Sequence, residues 1–183
     1  MQDKSIKRIV IIVLVLIIMI AGCVAGQISE RRGTRAYRLK DFPTAVAEYT
    51  EAAEAGNAKA QYHLGAMYAE GEGVEKDLSK AATLVRQAAE QGLNDAQLMY
   101  GLFNIYGDGV PMNPTEGARW LTLSAEEGND IAMYYLGTLY AMGLGVDKDI
   151  PTALQWMQKA EEKDFPVEEE LLTEEGLSNR FKE

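Results

Sequence analysis

Apolar positions recur on two scales in this chain: every third or fourth residue within short stretches, and again at an offset of 36 residues along the sequence. Leu64-Gly65, Tyr68 and Gly71-Glu72-Gly73-Val74 return as Tyr100-Gly101 and Gly107-Asp108-Gly109-Val110. They return once more as Leu136-Gly137, Tyr140 and Gly143-Leu144-Gly145-Val146. The same offset carries Ala60 onto Ala96 and Ala132, Asp77 onto Asn113 and Asp149, Leu84 onto Trp120 and Trp156, and Gly92 onto Gly128. A period between about 20 and 50 residues marks stacked repeats, in which no single unit buries its own apolar face. No segment alternates as a strand does, so the chain reads as an all-α solenoid of helix pairs.

Punctuation divides each period into two helices. The first of the 58–93 unit spans about Ala58 to Glu70 and stops at Gly71, a residue able to take the positive φ of a helix C-cap. The loop ends at Asp77, whose carboxylate can cap the next helix, about Leu78 to Gln91, before Gly92 breaks it. Asn113 and Asp149 repeat the cap, and Pro114 follows Asn113 where its missing N–H costs nothing. Asp41, Ala45, Ala52, Ala53 and Gly56 are images of Asp77, Ala81, Ala88, Ala89 and Gly92, so an incomplete unit precedes the full ones and helix pairs begin near Ser29. The organisation is therefore 1–22 as signal or anchor, 23–40 as tether and incomplete first helix, and 41–164 as the repeat array. The array comprises a half repeat at 41–57 and repeats at about 58–93, 94–129 and 130–164. Residues 165–183, with Glu168 to Glu170 and Leu171-Leu172, form an acidic carboxy-terminal cap.

The run A-x-x-x-L-G-x-x-Y-x-x-G-x-G-V, followed by Asp, Ala, Trp and a closing Ala-Ala with Gly, resembles the Sel-one-like repeat, a subclass of the tetratricopeptide-like helical repeats. The resemblance implies a right-handed α-solenoid of antiparallel helix pairs, and a role in protein binding and scaffolding. Asn104 departs from the tyrosine at Tyr68 and Tyr140, Gly117 from the alanine at Ala81 and Ala153, and Asp164 from the closing glycine, which suggests that the array ends there.

At the amino terminus Lys4, Lys7 and Arg8 precede an unbroken apolar run, Ile9 to Ile20, that closes in Ile20-Ala21-Gly22-Cys23. A basic start, about 7 to 15 apolar residues and small residues at the cut describe a secretory signal. The tetrapeptide resembles the bacterial lipobox, whose cysteine is lipidated and becomes residue one of the mature protein. Cys23 is the chain's single cysteine and sits where a lipid acceptor belongs. The alternative is a single-pass anchor, because Ile9 to Gly26 is free of charge for 18 residues, the lower edge of a span. Either route places the repeats outside the cytoplasm, with the leading basic residues inside. Resemblance to sorted lipoproteins adds an outer-membrane destination facing the periplasm in a two-membrane host, since Val24 stands where an aspartate retains such proteins in the inner membrane. The alternative is a single-pass inner-membrane protein.

Charge narrows the partners. After residue 22 the chain holds 27 acidic against 15 basic side chains, a surface that repels phosphate backbones and disfavours nucleic acid. Catalytic chemistry finds few candidates. His63 is the only histidine, and its images are Met99 and Tyr135, an ordinary variable helix position. One histidine and one committed cysteine leave no zinc set, no D-x-D-x-D-G loop is present, and Gly71-Glu72-Gly73 lacks the Lys-Ser/Thr of a phosphate loop. No cofactor, metal or catalytic residue is expected; carboxylates such as Glu70 and Glu72 near a helix end read as solvated.

Binding residues are sought on the first helix of each unit, opposite the face that carries Ala60, Leu64, Gly65 and Tyr68. That opposite face holds Tyr62, Ala66 and Ala69, then Leu98, Leu102, Ile105 and Tyr106, then Tyr134, Thr138, Ala141 and Met142. A solvent-facing stripe this apolar asks for a cover. Either it is a groove for a partner's segment, with Tyr62, Tyr106 and Tyr134 as anchors, or neighbouring helices and the carboxy-terminal cap already cover it. The expectation is a membrane-tethered, extracytoplasmic protein-interaction module or scaffold that is not an enzyme. An inhibitor or immunity-type protein neutralising a secreted enzyme is the alternative in the same class, and a wall-directed hydrolase or glycan-binding protein the alternative in another.

Overall fold

A computed structural model describes residues 2–181, with side chains described from residue 11. The side chains of Lys4, Lys7 and Arg8, and the last two residues of the expected carboxy-terminal cap, lie outside the described part. Among the described residues every regular element is helical, in two compact units, Met1–Lys76 and Asp77–Glu183.

The first unit holds α1 (Gln2–Arg38), α2 (Phe42–Glu54) and α3 (Ala58–Glu70). The expected first helix near Ser29 is the end of a longer one, because α1 runs unbroken from the apolar segment into the helix that packs on α2. Its packed face starts at Gly26 and continues through Ser29, Gly33 and Ala36. Small residues are needed there: a Cβ on Gly33 would lie 2.6 Å from the ring of Tyr49. Tyr49 is 1% exposed, stacks on His63 at 5.2 Å, and donates its hydroxyl to Thr34 Oγ1 at 3.1 Å. Burial raises its pKa above the ordinary tyrosine value. Gln61 of α3 closes the unit by donating to the Ala53 carbonyl at 3.3 Å.

The second unit holds α4 (Leu78–Glu90), α5 (Asn94–Tyr106), α6 (Pro114–Glu126), α7 (Asp130–Met142), α8 (Ile150–Glu161), a 3-10 turn at Glu169–Leu172 and α9 (Glu174–Arg180). Consecutive helices from α4 to α8 pack on one another. The expected caps form: Asp77 accepts from the amide of Lys80 at 3.0 Å, Asn113 from Glu116 at 3.2 Å and Asp149 from Thr152 at 3.1 Å. Each is worth about 1 kcal/mol. Leu93, the image of Asn57 and Asn129, has no capping side chain; instead Asn94 bonds to the buried Ser124 and to Asn129, tying the start of α5 to the end of α6.

Why each loop needs two glycines is visible in the turn after α5. Gly107 takes φ +79° and terminates the helix, while Gly109 at φ +72° rests on the backbone of Leu78, leaving no room for a Cβ. Gly145 rests in the same way on Pro114, and in the first unit Gly73 rests on Phe42. Each loop thus lies on the first residue of the second helix one repeat earlier. Inside the helix pairs of the second unit, Gly101 faces Leu121 and Gly137 faces Met157, so each of these two glycines lets a large residue of the following helix close the gap.

Asp164, which replaces the closing glycine, keeps the left-handed turn at φ +64°, as Gly128 does at +94°. The following residues fold back over α8, burying Leu171 and Leu177 among Ala141, Ala153 and Met157. The carboxy-terminal segment is acidic in composition and apolar where it packs.

Candidate binding surfaces

The residues singled out on the first helices fall into three environments. Tyr62 lines a recess of about 240 Å³ in the first unit, together with Tyr37, His63, Ala66, Met67, Glu70 and Glu72. Within it the Tyr37 hydroxyl donates to Glu72 at 2.7 Å, and that carboxylate is the main reason the Tyr37 pKa is raised. The His63 ring lies between Tyr49 and Tyr62, at 5.2 and 5.3 Å.

Leu98 and Leu102 are half-buried, packed against the core cluster of Leu121, Leu136 and Leu139. Ile105 goes further than its expected place on an open stripe: it is 7% exposed and belongs to that cluster. The cause is the exchange at Gly117, where a Cβ would lie 2.6 Å from Ile105 Cγ1. The glycine opens the space that the isoleucine fills, whereas the corresponding positions one repeat later are two buried alanines, Ala141 and Ala153. Ala69 and Ala141 are buried too, so the stripe is narrower than helical spacing alone implies.

The third environment is a recess of about 420 Å³ in the second unit, at the end of α5 and along α7. It brings together Ile105, Tyr106, Tyr134 and Met142 from the expected set. Tyr106 stands 62% exposed and Met142 50%. The Tyr106 pKa is raised, first by partial desolvation of its hydroxyl end and then by Tyr135 and Asp108. The far wall comes from the carboxy-terminal segment, which the alternative reading named as a cover: Leu171, Arg180 and Phe181 line it, and Phe165 lies tilted against Tyr134 with centroids 5.0 Å apart. The apolar residues interleaved with the acidic run at the carboxy terminus were the available signal.

A separate polar cluster marks α6. Trp120 donates to Glu116 at 2.7 Å, Arg119 donates to the same carboxylate at 2.6 and 3.0 Å, and its guanidinium lies 4.5 Å from the Trp120 ring centre. The Arg119 bonds, then the Trp120 bond, hold the Glu116 pKa below the usual carboxylate value. Among the described residues no group of three or more His, Cys, Asp or Glu side chains could hold a metal ion.

The architecture is matched by a family model for the Sel1 repeat at residues 58–93, 94–129 and 130–165, more than half of the chain. The chain belongs to the Sel1 repeat family. Two solved structures carry the same fold. A protective antigen present in uropathogenic Escherichia coli strains, displaying an SLR fold, matches with a TM-score of 0.70 and 32% identity over 74% of this chain and 30% of its own length. A Sel1 repeat protein from Oxalobacter formigenes matches with a TM-score of 0.67 and 33% identity over 71% of this chain and 54% of that one. The chain therefore spans at most about half the length of these relatives. No curated protein matches. Sel1 repeats are protein-interaction modules, and that coarse role is what the family gives the repeats of this chain.

Proposed function

We propose that this Sel1 repeat protein is a membrane-tethered, extracytoplasmic interaction module that holds an apolar or aromatic segment of a partner protein in the recess between the end of α5 and α7. The observation that carries this reading is the exposure of Tyr106 and Met142 beside Tyr134 around about 420 Å³ of open space. Large apolar side chains left in water at a concave site are what a binding hot spot presents before its partner arrives. Tyrosine suits the role, since it brings a large contact area with few rotamers to freeze.

Tethering rests on α1, which is long and apolar enough from residue 11 onward to cross a membrane. The Escherichia coli relative is a protective antigen, which fits an envelope location for proteins of this kind. Processing at Cys23 favours a lipoprotein, and an uncut α1 a single span.

The test is quantitative capture of partners by the full chain from membranes, comparing Tyr106→Ala and Met142→Ala with the core change Leu136→Ala. Each surface variant is expected to weaken the captured interaction about thirtyfold, equivalent to about 2 kcal/mol, with the melting temperature nearly unchanged. Leu136→Ala lowers the melting temperature instead. Capture that survives both surface changes removes this recess as the binding site.

A further inference from the structure

The chain carries 27 acidic side chains after residue 22, yet residues 31–40 contain none and hold five basic ones: Arg31, Arg32, Arg35, Arg38 and Lys40. All five are exposed. Four lie on α1, the helix that begins in the apolar segment. With Gly26 as reference and about 100° per residue, Gly33 points within about 20° of it, Ser29 and Ala36 within about 80°. These residues face α2 and are buried. Arg31, Arg35 and Arg38 point about 140°, 180° and 120° away from Gly26, onto the outer face. The guanidiniums are not spent on carboxylates, since the ion pairs among the described residues lie elsewhere, at Asp77–Lys80, Arg86–Glu90, Glu116–Arg119 and Glu168–Arg180.

Position along the helix decides what such a stripe meets. The apolar stretch ends at Gly26, before the polar Gln27, and at about 1.5 Å per residue Arg31 follows about 7.5 Å later and Arg35 about 13.5 Å later. A headgroup layer is about 5 to 7 Å deep on each side of the hydrocarbon, and arginine side chains reach several ångströms back along their helix toward it. Arg31 and Arg32 therefore fall at the phosphate level, and Arg35 within about one Debye length of it. The geometry holds whether α1 spans the bilayer or begins at a lipidated Cys23, three residues before Gly26.

Resting on the membrane-tethered reading, we infer that the outer face of α1, through Arg31, Arg35 and Arg38 with Arg32 at its flank, binds the phosphates of anionic phospholipids and holds the first unit against the membrane surface. Charge complementarity and direct continuity with the apolar segment select a lipid headgroup as the occupant. Arginine suits the task, because its planar fork offers two parallel donors to a phosphate and stays charged at every accessible pH.

The test reconstitutes the full chain in phosphatidylcholine vesicles with and without phosphatidylglycerol. Flotation reports attachment, and spin-labelled lipids report which headgroup sits beside the protein. Wild type is expected to float with both vesicle types and to select phosphatidylglycerol several-fold over phosphatidylcholine at low salt, a preference that fades toward 1 M salt. The triple change Arg31→Glu, Arg35→Glu, Arg38→Glu should still float while losing the several-fold selectivity. The triple change to lysine should retain most of it, and Lys80→Glu with Arg86→Glu on α4 should leave it intact. Wild type that floats without lipid preference, or a glutamate triple that keeps it, overturns the inference. Failure of wild type to float with phosphatidylcholine alone overturns the tethered reading itself and this one with it.

Discussion

At the scale of single residues, much of the packing depends on paired departures from the repeat pattern. Ile105 and Gly117 are the clearest case, since their images at one repeat's remove, Ala141 and Ala153, are both alanine. Gly117→Ala alone should overpack the α5–α6 contact and cost about 1 to 3 kcal/mol, despite the better helix propensity of alanine. Ile105→Ala alone should leave a cavity and cost about 2 to 5 kcal/mol. The double variant restores the alanine pair, so denaturant unfolding should show it more stable than the sum of the singles predicts by more than about 1 kcal/mol. Strict additivity would mean that the two side chains do not share one space. The sequence alone marked Gly117 as a departure without saying what it answered. Helical spacing put Ile105 on the open stripe because periodicity reports direction around a helix and not how close the neighbouring helix comes.

Elements were the most legible scale. Helix starts were readable because Asp77, Asn113 and Asp149 are good caps, and helix ends because Gly71, Gly107 and Gly143 must take positive φ. The contact of each loop's second glycine with the helix one repeat earlier was not readable, because a missing side chain leaves no sign of what fills its place. Two glycines of similar φ separate these roles. Gly92→Ala, with open space around the added Cβ, should cost only the left-handed penalty of about 1 kcal/mol. Gly109→Ala carries that penalty and also drives a methyl into the backbone of Leu78, for a total of about 2 to 4 kcal/mol. Thermal or urea unfolding of the two variants checks the difference, and equal losses would remove the loop-to-helix contact as a source of stability.

For the whole molecule, the 36-residue period told that this is a helical repeat chain, and Cys23 with its apolar run pointed to a membrane. Neither told how the carboxy terminus packs, because Leu171 and Leu177 belong to no repeat and are separated by a change from 3-10 turn to helix. The mode of attachment is decided by mass. Cleavage at Cys23 predicts a mature chain without residues 1–22, labelled by lipid precursor, and Cys23→Ala leaves a longer, unlabelled product. An uncut wild type makes α1 a spanning helix, and charge then gives it little directional bias: Lys4, Lys7 and Arg8 precede the run while five basic residues at 31–40 follow it. An extracytoplasmic location for the repeats therefore depends on processing far more than on flanking charge. A cysteine-accessibility label on an exposed position of α4, applied to intact cells, reads the side directly.

The unbroken course of α1 also sets how this protein meets others. A flexible linker of n residues would let a binding domain sweep a radius of about 5 to 6 Å times the square root of n. Here only Val24 and Ala25 lie between Cys23 and the first packed position, Gly26, and both are helical. If α1 is the tether proposed above, the search volume of the first unit nearly vanishes along the membrane normal and remains open only sideways, by lateral diffusion. A partner fixed to the same membrane, with its docking segment held at the matching height, would experience a high effective concentration. The same segment carried on a freely diffusing protein would not.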